Sequence, residues 1–396
     1  MGTKLGWGGL ADWAVRWGQG ALLGLLAISG AEHVSAAQTL VPVTGGDDGF
    51  RLVKVAEGLE HPWGLASLPD GNFLVTERPG RLRLIRNGVV DPQPIAGLPE
   101  IASVGQGGLL DVTLHPRFRE NGWIYLSYVA GMGGRVGTEV MRARWEGGRL
   151  RDQQLVFKAE PKSHGGRHFG SRLVFGPDGY LYITVGDRGD QVRAQRLDDH
   201  AGSVIRLRDD GDIPDDNPFL KRQKNVKPEI YSYGHRNPQG MAVNPFTGDL
   251  WIHEHGPQGG DEINVIRPGH NYGWPIITYG VNYGTGTPIG EGTHRDGMTQ
   301  PLYYWVPSIA PSGMCFYNGD RFPDWRGNLF VGSLKFGQLV RLQLKDGVVV
   351  GEERLLGGKL GRIRDVECHW DGNLYLLTDE PNGGLYRLEP SNGHRG

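Results

Sequence analysis

The sequence lacks an excess of charge of either sign. Its 396 residues include 42 Lys and Arg against 44 Asp and Glu, a formal net charge of −2. A protein that binds DNA or RNA presents a basic face, so we expect no nucleic-acid partner. Cysteine is also scarce, because only Cys315 and Cys368 are present. Two cysteines make no disulfide framework, and we expect two buried thiols, with a disulfide as the alternative that export would permit.

Several catalytic motifs are missing as well. The chain contains no glycine-rich nicotinamide fingerprint, no P-loop and no H-E-x-x-H helix. Nicotinamide enzymes, P-loop NTPases and zinc peptidases of that type therefore have no support in the sequence. A C-x-x-C-H haem attachment is also missing. A redox enzyme made from this chain would pass its electrons to an external acceptor.

After residue 37 the sequence has no apolar run long enough to cross a bilayer. The amino terminus is different, because Lys4 and Arg16 precede a short apolar run at residues 20–31 and small residues follow it. This pattern predicts a signal peptide at residues 1–37, although an uncleaved anchor stays open. We therefore expect residues 38–396 to form one domain without a membrane span, in a periplasm or outside the cell.

Glycine is abundant, with 65 residues, and no long segment keeps a helical period. One phrase recurs instead: a glycine turn followed by an alternating apolar strand. Its six copies contain Gly71, Gly122, Gly179, Gly248, Gly327 and Gly372. Repeats of this kind bury their faces by stacking around a ring. The sequence predicts an all-β fold, a single six-bladed β-propeller, with a two-domain β-sandwich as the alternative.

The segment 234–275 concentrates unusual chemistry. It contains a cation–amide pair, a glycine–proline corner and an acidic pair, which are Arg236 and Asn237, Gly256 and Pro257, and Asp261 and Glu262. A guanidinium can hold a carboxylate with two parallel N–H bonds. Backbone carbonyls and carboxylates suit a hard cation such as calcium. The segment therefore favours a ligand that is anionic and also chelates a metal.

Other polar residues lie at the ends of the repeated strands, where the loops of a propeller converge on its axis. They are Gln106, His168, Asp187, Lys335, Arg362, Arg364 and Asp379. Any one of them alone could be a solvated strand end or a turn former. Together, cations outnumber acids, which indicates a small ligand with several negative charges. His168 adds a candidate general base.

The motifs G-H-R-N-P-Q-G, G-P-x-x-x-D-E-I-N, N-Y-G-W-P and S-L-K-x-G together resemble those of the soluble sugar dehydrogenases that depend on pyrroloquinoline quinone (PQQ), also called glucose/sorbosone dehydrogenases. The resemblance covers about residues 61–390 and is nearest to the aldose sugar dehydrogenase branch. It implies a six-bladed propeller, in agreement with the repeats. It also implies PQQ- and calcium-dependent oxidation of an aldose at its anomeric carbon to a lactone, with a small-molecule sugar as substrate.

The resemblance also implies residue roles. His168 matches the general base that takes the proton of the anomeric hydroxyl, Asp187 the acid that orients it, and Arg236 a cation near the reacting carbonyl. The cofactor contacts are expected to be Gln106, His168, Arg236, Asn237, Ser308, Lys335, Arg362, Arg364 and Asp379. Backbone carbonyls of Gly256 and Pro257 would hold the catalytic calcium, and Glu262 with Tyr272 a second calcium.

The sequence departs from the family near residues 305–312. Ser308 stands where the family has a threonine, and Trp305 or Val306 takes the place of a tryptophan over the cofactor. Sugar preference therefore cannot be transferred from the family. A calcium-dependent lactonase on the same fold is the alternative function, because such an enzyme would need only a calcium ion at the glycine–proline corner. A binding module without turnover is a third possibility, and the presence of His168 and Asp187 argues against it.

Overall fold

The computed structural model describes residues 39–41, 49–221 and 225–391, with only the backbone described for 39–41. The predicted signal peptide at residues 1–37 lies outside the described residues. Within these ranges, 25 strands form six antiparallel sheets. Among the described residues, no helix has the length and apolar character needed to span a membrane.

The strands follow one another sheet by sheet. Two strands come first, β1 (Thr39–Val41) and β2 (Phe50–Leu59). The first sheet contains β3 (Pro62–Ser67), β4 (Phe73–Glu77), β5 (Arg81–Arg86) and β6 (Val89–Val90). The second contains β7 (Leu109–Leu114), the helical turn α1 (Phe118–Asn121), β8 (Trp123–Met132), β9 (Arg135–Glu146) and β10 (Arg149–Lys158). The third contains β11 (Leu173–Phe175), β12 (Leu181–Val185), a 3-10 turn (Gln191–Gln195), β13 (Ser203–Leu207) and β14 (Ile230–Tyr233).

The remaining sheets follow the same order. The fourth contains β15 (Pro238–Val243), β16 (Leu250–Glu254), β17 (Asp261–Val265) and β18 (Tyr303–Trp305). The fifth contains β19 (Pro311–Phe316), a 3-10 turn (Pro323–Trp325), β20 (Leu329–Ser333), β21 (Leu339–Lys345) and β22 (Val348–Leu355). The sixth contains β23 (Ile363–Cys368), β24 (Leu374–Thr378) and β25 (Gly383–Pro390).

The first strand of each sheet lies at the centre of a ring. The strands β3, β7, β11, β15, β19 and β23 contact one another in this order, and β23 contacts β3. Apolar side chains from neighbouring sheets bury one another between the blades, as Leu84 of the first sheet and Ile124 of the second do. The predicted six-bladed β-propeller is confirmed, and the β-sandwich alternative is wrong.

The amino-terminal strand completes the last blade. Strand β2 pairs with β25 along its whole length, from Phe50 opposite Pro390 to Leu59 opposite Gly383. Strand β1 adds to the outer edge of β2. Both ends of the described chain therefore share one sheet, and this pairing closes the ring.

The recurring phrase marks the second strand of every blade. Its six glycines all have positive φ, between 66° at Gly122 and 84° at Gly71. Each precedes one of the strands β4, β8, β12, β16, β20 and β24. Glycine adopts this left-handed conformation without the steric cost that a Cβ adds. The phrase therefore encodes the turn that leads from the first strand of a blade into the second.

A buried ion cluster joins the central strands. The guanidinium of Arg172, directly before β11, contacts Asp111 of β7 at 3.1 Å and Asp365 of β23 at 3.0 Å. Its Nε donates to the carbonyl of Gln239 on β15 at 3.0 Å, and it lies 4.4 Å from the ring centre of Trp63 on β3. Five of the six central strands therefore meet at one cation.

The sixth central strand approaches the same cluster through a glycine. A Cβ at Gly313 of β19 would collide with Oδ1 of Asp365, so only glycine fits at this position. Burial raises the pKa of Asp111, and the charge of Arg172 opposes that effect. The carboxylates also accept backbone N–H bonds from Leu173 and Leu65. These bonds satisfy charges that would otherwise be costly to bury.

The two cysteines correct our expectation. Cys315 of β19 and Cys368 of β23 form a disulfide, with their Cα atoms 5.6 Å apart. The expectation of two free buried thiols is wrong, because adjacent central strands bring the two residues into bonding range. The bond links the fifth blade directly to the sixth.

Removing this disulfide should lower stability. Because it closes a loop with a sequence separation of 53 residues, Cys315→Ser should cost about 4 kcal/mol of unfolding free energy. Urea denaturation of both proteins, with and without a thiol reductant, measures the difference. The reductant should destabilise the wild-type protein and leave the variant unchanged. An unaltered wild-type midpoint under full reduction would contradict the prediction.

Candidate functional site

A cavity of about 820 Å³ opens at one end of the propeller. Five blades supply its wall, mostly from loops at the ends of the strands. The residues predicted from the sequence that line it are Gln106, Asn237, Pro257, Ser308, Lys335, Arg362, Arg364 and Asp379. The structure therefore brings together eight of the predicted site residues in one space.

Positive charge dominates this cavity. Its lining contains Arg78, Lys335, Arg362 and Arg364 against one carboxylate, Asp379. Lys335 is exposed, and its ammonium group makes no hydrogen bond or ion pair to the residues that the structure describes. A polyanionic ligand would find uncompensated cations here.

Asp379 anchors the two arginines on its side of the cavity. Its Oδ2 accepts from Arg364 Nη2 at 2.5 Å and lies 3.5 Å from Arg362 Nη2. Burial raises the pKa of Asp379, but Arg364 outweighs burial and holds the pKa well below its usual range. Arg364 also donates to Gln239, while its buried Nε has no acceptor among the described residues. The Arg364 side chain is thus fixed in place, and its Nε–H can still donate a hydrogen bond to a ligand.

His168 does not line the large cavity itself, but it contacts Gln106, which does. Its backbone N–H donates to Gln106 Oε1 at 2.8 Å, and its Nδ1 lies 2.6 Å from Asp187 Oδ1. Burial lowers the pKa of His168, and Asp187 only partly offsets this. Burial raises the pKa of Asp187, but the bond to His168 outweighs it and keeps that carboxyl ionised. Nδ1 therefore donates a hydrogen bond to Asp187, and Nε2, which has no partner among the described residues, can accept a proton.

Arg236 does not line the large cavity. Its Nη1 donates to the carbonyls of His255 at 3.0 Å and Gly256 at 2.8 Å. Its backbone carbonyl accepts from the N–H of Asp187 at 2.8 Å. The guanidinium thus lies between the His168–Asp187 pair and the glycine–proline corner.

The corner itself is held by buried polar contacts. The N–H of Gly256 donates to Asp261 Oδ1 at 2.9 Å, and Ser308 Oγ donates to both oxygens of Asp261. Burial raises the pKa of Asp261 to about 6. Asp261 therefore ties the Gly256–Pro257 corner to the loop that carries Ser308.

A smaller cavity lies behind the corner. Its lining includes Arg236, Glu254, Gly256, Glu262 and Tyr272. Glu254 of β16 and Glu262 of β17 are directly opposite each other. Burial and the charge of Glu254 raise the pKa of Glu262 well above its usual value. Glu254 also pairs with His235, whose Nδ1 lies 2.9 Å from its Oε1. The two facing carboxylates are ligands of the kind that a hard metal ion prefers.

No group of three or more His, Cys, Asp or Glu side chains in the described ranges is arranged to hold a metal ion. The ligand sets predicted from the sequence rely partly on backbone oxygens. Gly256 and Tyr272 belong to the lining of the small cavity and Pro257 to that of the large one. The predicted metal ligands thus lie on both sides of one corner.

Sequence reasoning missed several residues of the site. Trp63, Arg78, Gln239 and Tyr283 line the large cavity, and Trp274 bonds Asp187. One signal was present: Arg78 lies seven residues after Gly71, as Asp379 lies seven after Gly372. Equivalent positions in two copies of the phrase point to the same cavity. For Trp63 and Gln239, inside central strands, no such signal exists.

The protonation of His168 can be measured without any cofactor. Its imidazole should titrate below its ordinary value of 6.5 because burial disfavours the charged form. Asp187→Asn removes the carboxylate that raises this pKa, so the pKa should fall further. NMR titration of the His168 ring checks both results, with Asp190→Asn on the exposed neighbouring loop as the matched control. A higher pKa in Asp187→Asn than in the wild-type protein would contradict the assigned hydrogen bond.

Comparison with known proteins agrees with this architecture. The aldose sugar dehydrogenase YliI of Escherichia coli is 46% identical over 339 residues, which cover 84% of this chain and 91% of that protein. The apo crystal structure of the soluble aldose sugar dehydrogenase from Escherichia coli superposes with a TM-score of 0.84 at 45% identity, covering 86% of this chain and 100% of that chain. The PQQ-bound aldose sugar dehydrogenase from Streptomyces coelicolor has a TM-score of 0.71 at 28% identity, covering 90% of this chain and 99% of that chain.

The family assignment rests on nearly the whole propeller. The sequence profile described as "Glucose / Sorbosone dehydrogenase" matches residues 59–387. This range begins at the end of β2 and ends in β25, so it includes every blade. The resemblance inferred from the motifs is confirmed: the chain belongs to the glucose/sorbosone dehydrogenase family.

Proposed function

We propose that this protein oxidises aldose sugars at the anomeric carbon to lactones, with PQQ and calcium as cofactors and His168 as general base. The observation that carries the proposal is the cationic cavity next to the His168–Asp187 pair. A base with a free Nε2 beside a site for a polyanion is what proton removal coupled to hydride loss requires. The relatives named as aldose sugar dehydrogenases support the same substrate class.

The cavity fits PQQ, which carries three carboxylates. Lys335, Arg362 and Arg364 provide cationic donors on one side, and an N–H of Arg364 has no acceptor among the described residues. Gln106, Asn237 and Ser308 add neutral polar groups to the wall. These residues would hold the cofactor, and Asp379 would fix the two arginines. Bound PQQ supplies the acceptor for the hydride.

The protein's own groups would prepare the sugar for that transfer. His168 Nε2 takes the proton of the anomeric hydroxyl, and Asp187 stabilises the imidazolium that results. The pKa of His168, lowered by burial, keeps the ring neutral near pH 7 and ready to accept. Arg236 places a fixed positive charge beside the corner, where it would stabilise negative charge that develops during reduction.

We assign the catalytic calcium to the Gly256–Pro257 corner. The Gly256 carbonyl accepts from Arg236 and from no other donor among the described residues, which leaves its second lone pair for a cation. Bound calcium supplies a Lewis acid at this point. We assign a second, structural ion to Glu262 and the backbone carbonyl of Tyr272, and Glu254, which faces Glu262, would add a carboxylate.

Export fits the proposal as well. The signal pattern at residues 1–37 would send residues 38–396 to the periplasm or the medium. The Cys315–Cys368 disulfide is the kind of bond that persists in oxidising compartments. Electrons from the sugar would leave through an external acceptor, since the chain has no haem attachment motif.

The activity can be tested directly. Purified protein with PQQ, calcium and glucose should reduce an artificial electron-accepting dye, and chelation of calcium should stop the reaction until calcium is restored. His168→Gln should lower turnover by about 10²- to 10⁴-fold, because a positioned base contributes this much. PQQ binding, followed by absorbance titration, should survive in the variant. Failure to oxidise any aldose, or full turnover in His168→Gln, would contradict the proposal.

The cationic wall predicts a loss of cofactor affinity. Lys335→Gln should weaken PQQ binding about 10- to 100-fold, since one hydrogen bond to a charged group is removed. Lys345→Gln, at an exposed end of β21, is the matched control and should bind PQQ like the wild-type protein. Titration of PQQ into both variants measures the difference. Equal affinities would show that Lys335 does not hold the cofactor.

A further inference from the structure

Trp274 lies between the catalytic residues proposed above. Its indole Nε1 donates to Asp187 Oδ2 at 2.8 Å, on the carboxylate oxygen that His168 does not use. The guanidinium carbon of Arg236 lies 5.4 Å from the centre of its ring. The side chain is buried. One residue therefore contacts both the acid that orients the base and the proposed electrophilic cation.

The backbone around Trp274 is firmly held. Its N–H donates to the carbonyl of Gly234 at 2.9 Å, and its carbonyl accepts from Gln195 Nε2 at 2.7 Å. Gln195 also exchanges hydrogen bonds with Asn271 on the same loop. The indole thus approaches Asp187 from a loop tied to the third blade at several points. This rigidity is what a group needs if it is to hold another in place.

The hydrogen bond from Trp274 affects both the orientation of Asp187 and the strength of its bond to His168. Asp187 Oδ1 accepts from His168 Nδ1 and from the N–H of Gly189, and Oδ2 accepts from the indole. With both oxygens engaged, the carboxylate cannot rotate away from the imidazole. The indole N–H also stabilises the negative charge of Asp187, which makes the carboxylate a weaker proton acceptor. The imidazole consequently keeps its Nδ1 proton in place while its basicity stays moderate.

We infer that Trp274 is a positioning residue of the proposed oxidation, which locks Asp187 through its indole N–H and thereby fixes the tautomer and orientation of His168. The inference rests on the proposed function. It assigns a role to the tryptophan of the N-Y-G-W-P motif that its packing alone does not explain. The ring face underneath Arg236 is a second contact, which a phenylalanine could keep.

The decisive variant is Trp274→Phe, which keeps an aromatic ring near Arg236 but removes the N–H donor and makes the side chain smaller. Its kcat should fall about 10- to 100-fold, because the base is no longer held in one geometry. The lower pKa in the pH profile of kcat/KM, which we assign to His168, should rise by about one unit. Without the indole hydrogen bond, Asp187 stabilises the protonated imidazole more strongly. The other charged or titratable groups around His168 and Asp187 include Arg167, Arg188, Arg236 and His255, and none of them changes.

Trp251→Phe is the matched control. Trp251 is equally buried, on β16, and its Nε1 has no acceptor among the described residues. This substitution also removes an indole from the core, but it should leave both kcat and the lower pKa of the kcat/KM profile unchanged. A double-mutant cycle adds a second test: Asp187→Asn with Trp274→Phe should lose no more turnover than Asp187→Asn alone.

Two readouts separate this inference from the proposed function. If the wild-type protein oxidises no aldose, the proposed function fails, and NMR titration of His168 in the PQQ-free protein still tests Trp274. In that titration, Trp274→Phe should raise the pKa of His168 relative to the wild-type protein. An unshifted His168 pKa and an unshifted kcat/KM profile in a folded Trp274→Phe variant would overturn the inference, as would fully additive losses in the double-mutant cycle.

Discussion

The propeller depends on one buried cation. Arg172 contacts carboxylates from the second and sixth blades, a carbonyl from the fourth and an aromatic ring from the first. A charge buried this deeply is tolerated only when its partners are in place, so any shift of a central strand would leave Arg172, Asp111 or Asp365 uncompensated. The cluster therefore specifies how the six central strands meet, whereas the apolar contacts between blades would tolerate some sliding.

This cluster also connects the fold to the chemistry. Trp63 and Gln239 touch Arg172 on one side and line the large cavity on the other. Gln239 accepts from Arg364, which in turn bonds Asp379. Arg364, and through Asp379 also Arg362, thus stands on a network fixed at the centre of the ring. Preorganised charge of this kind loses little free energy to rearrangement when a ligand binds.

The sequence predicted the fold from a local signal, because each blade needs the same glycine turn before its second strand. It predicted the large cavity through strand-end residues such as Lys335 and Asp379. It could not predict the Arg172 cluster or the Cys315–Cys368 bond, since both depend on which central strands become neighbours in space. The position of Arg236 could not be predicted either. The sequence shows the motif that contains it, but its contact with the Gly256–Pro257 corner depends on how the loops pack.

The pairing of β2 with β25 has a consequence for how the chain is made. Among the described strands, β2, which completes the sixth blade, is the first long one in the chain, and its partner β25 is the last. A nascent or truncated chain lacks the final hydrogen-bonded edge however well its middle blades have folded. Until β25 has been synthesised, the unpaired edge of β2 is available for pairing with other molecules. Rapid closure of the ring, or a chaperone bound to this edge, would prevent such pairing.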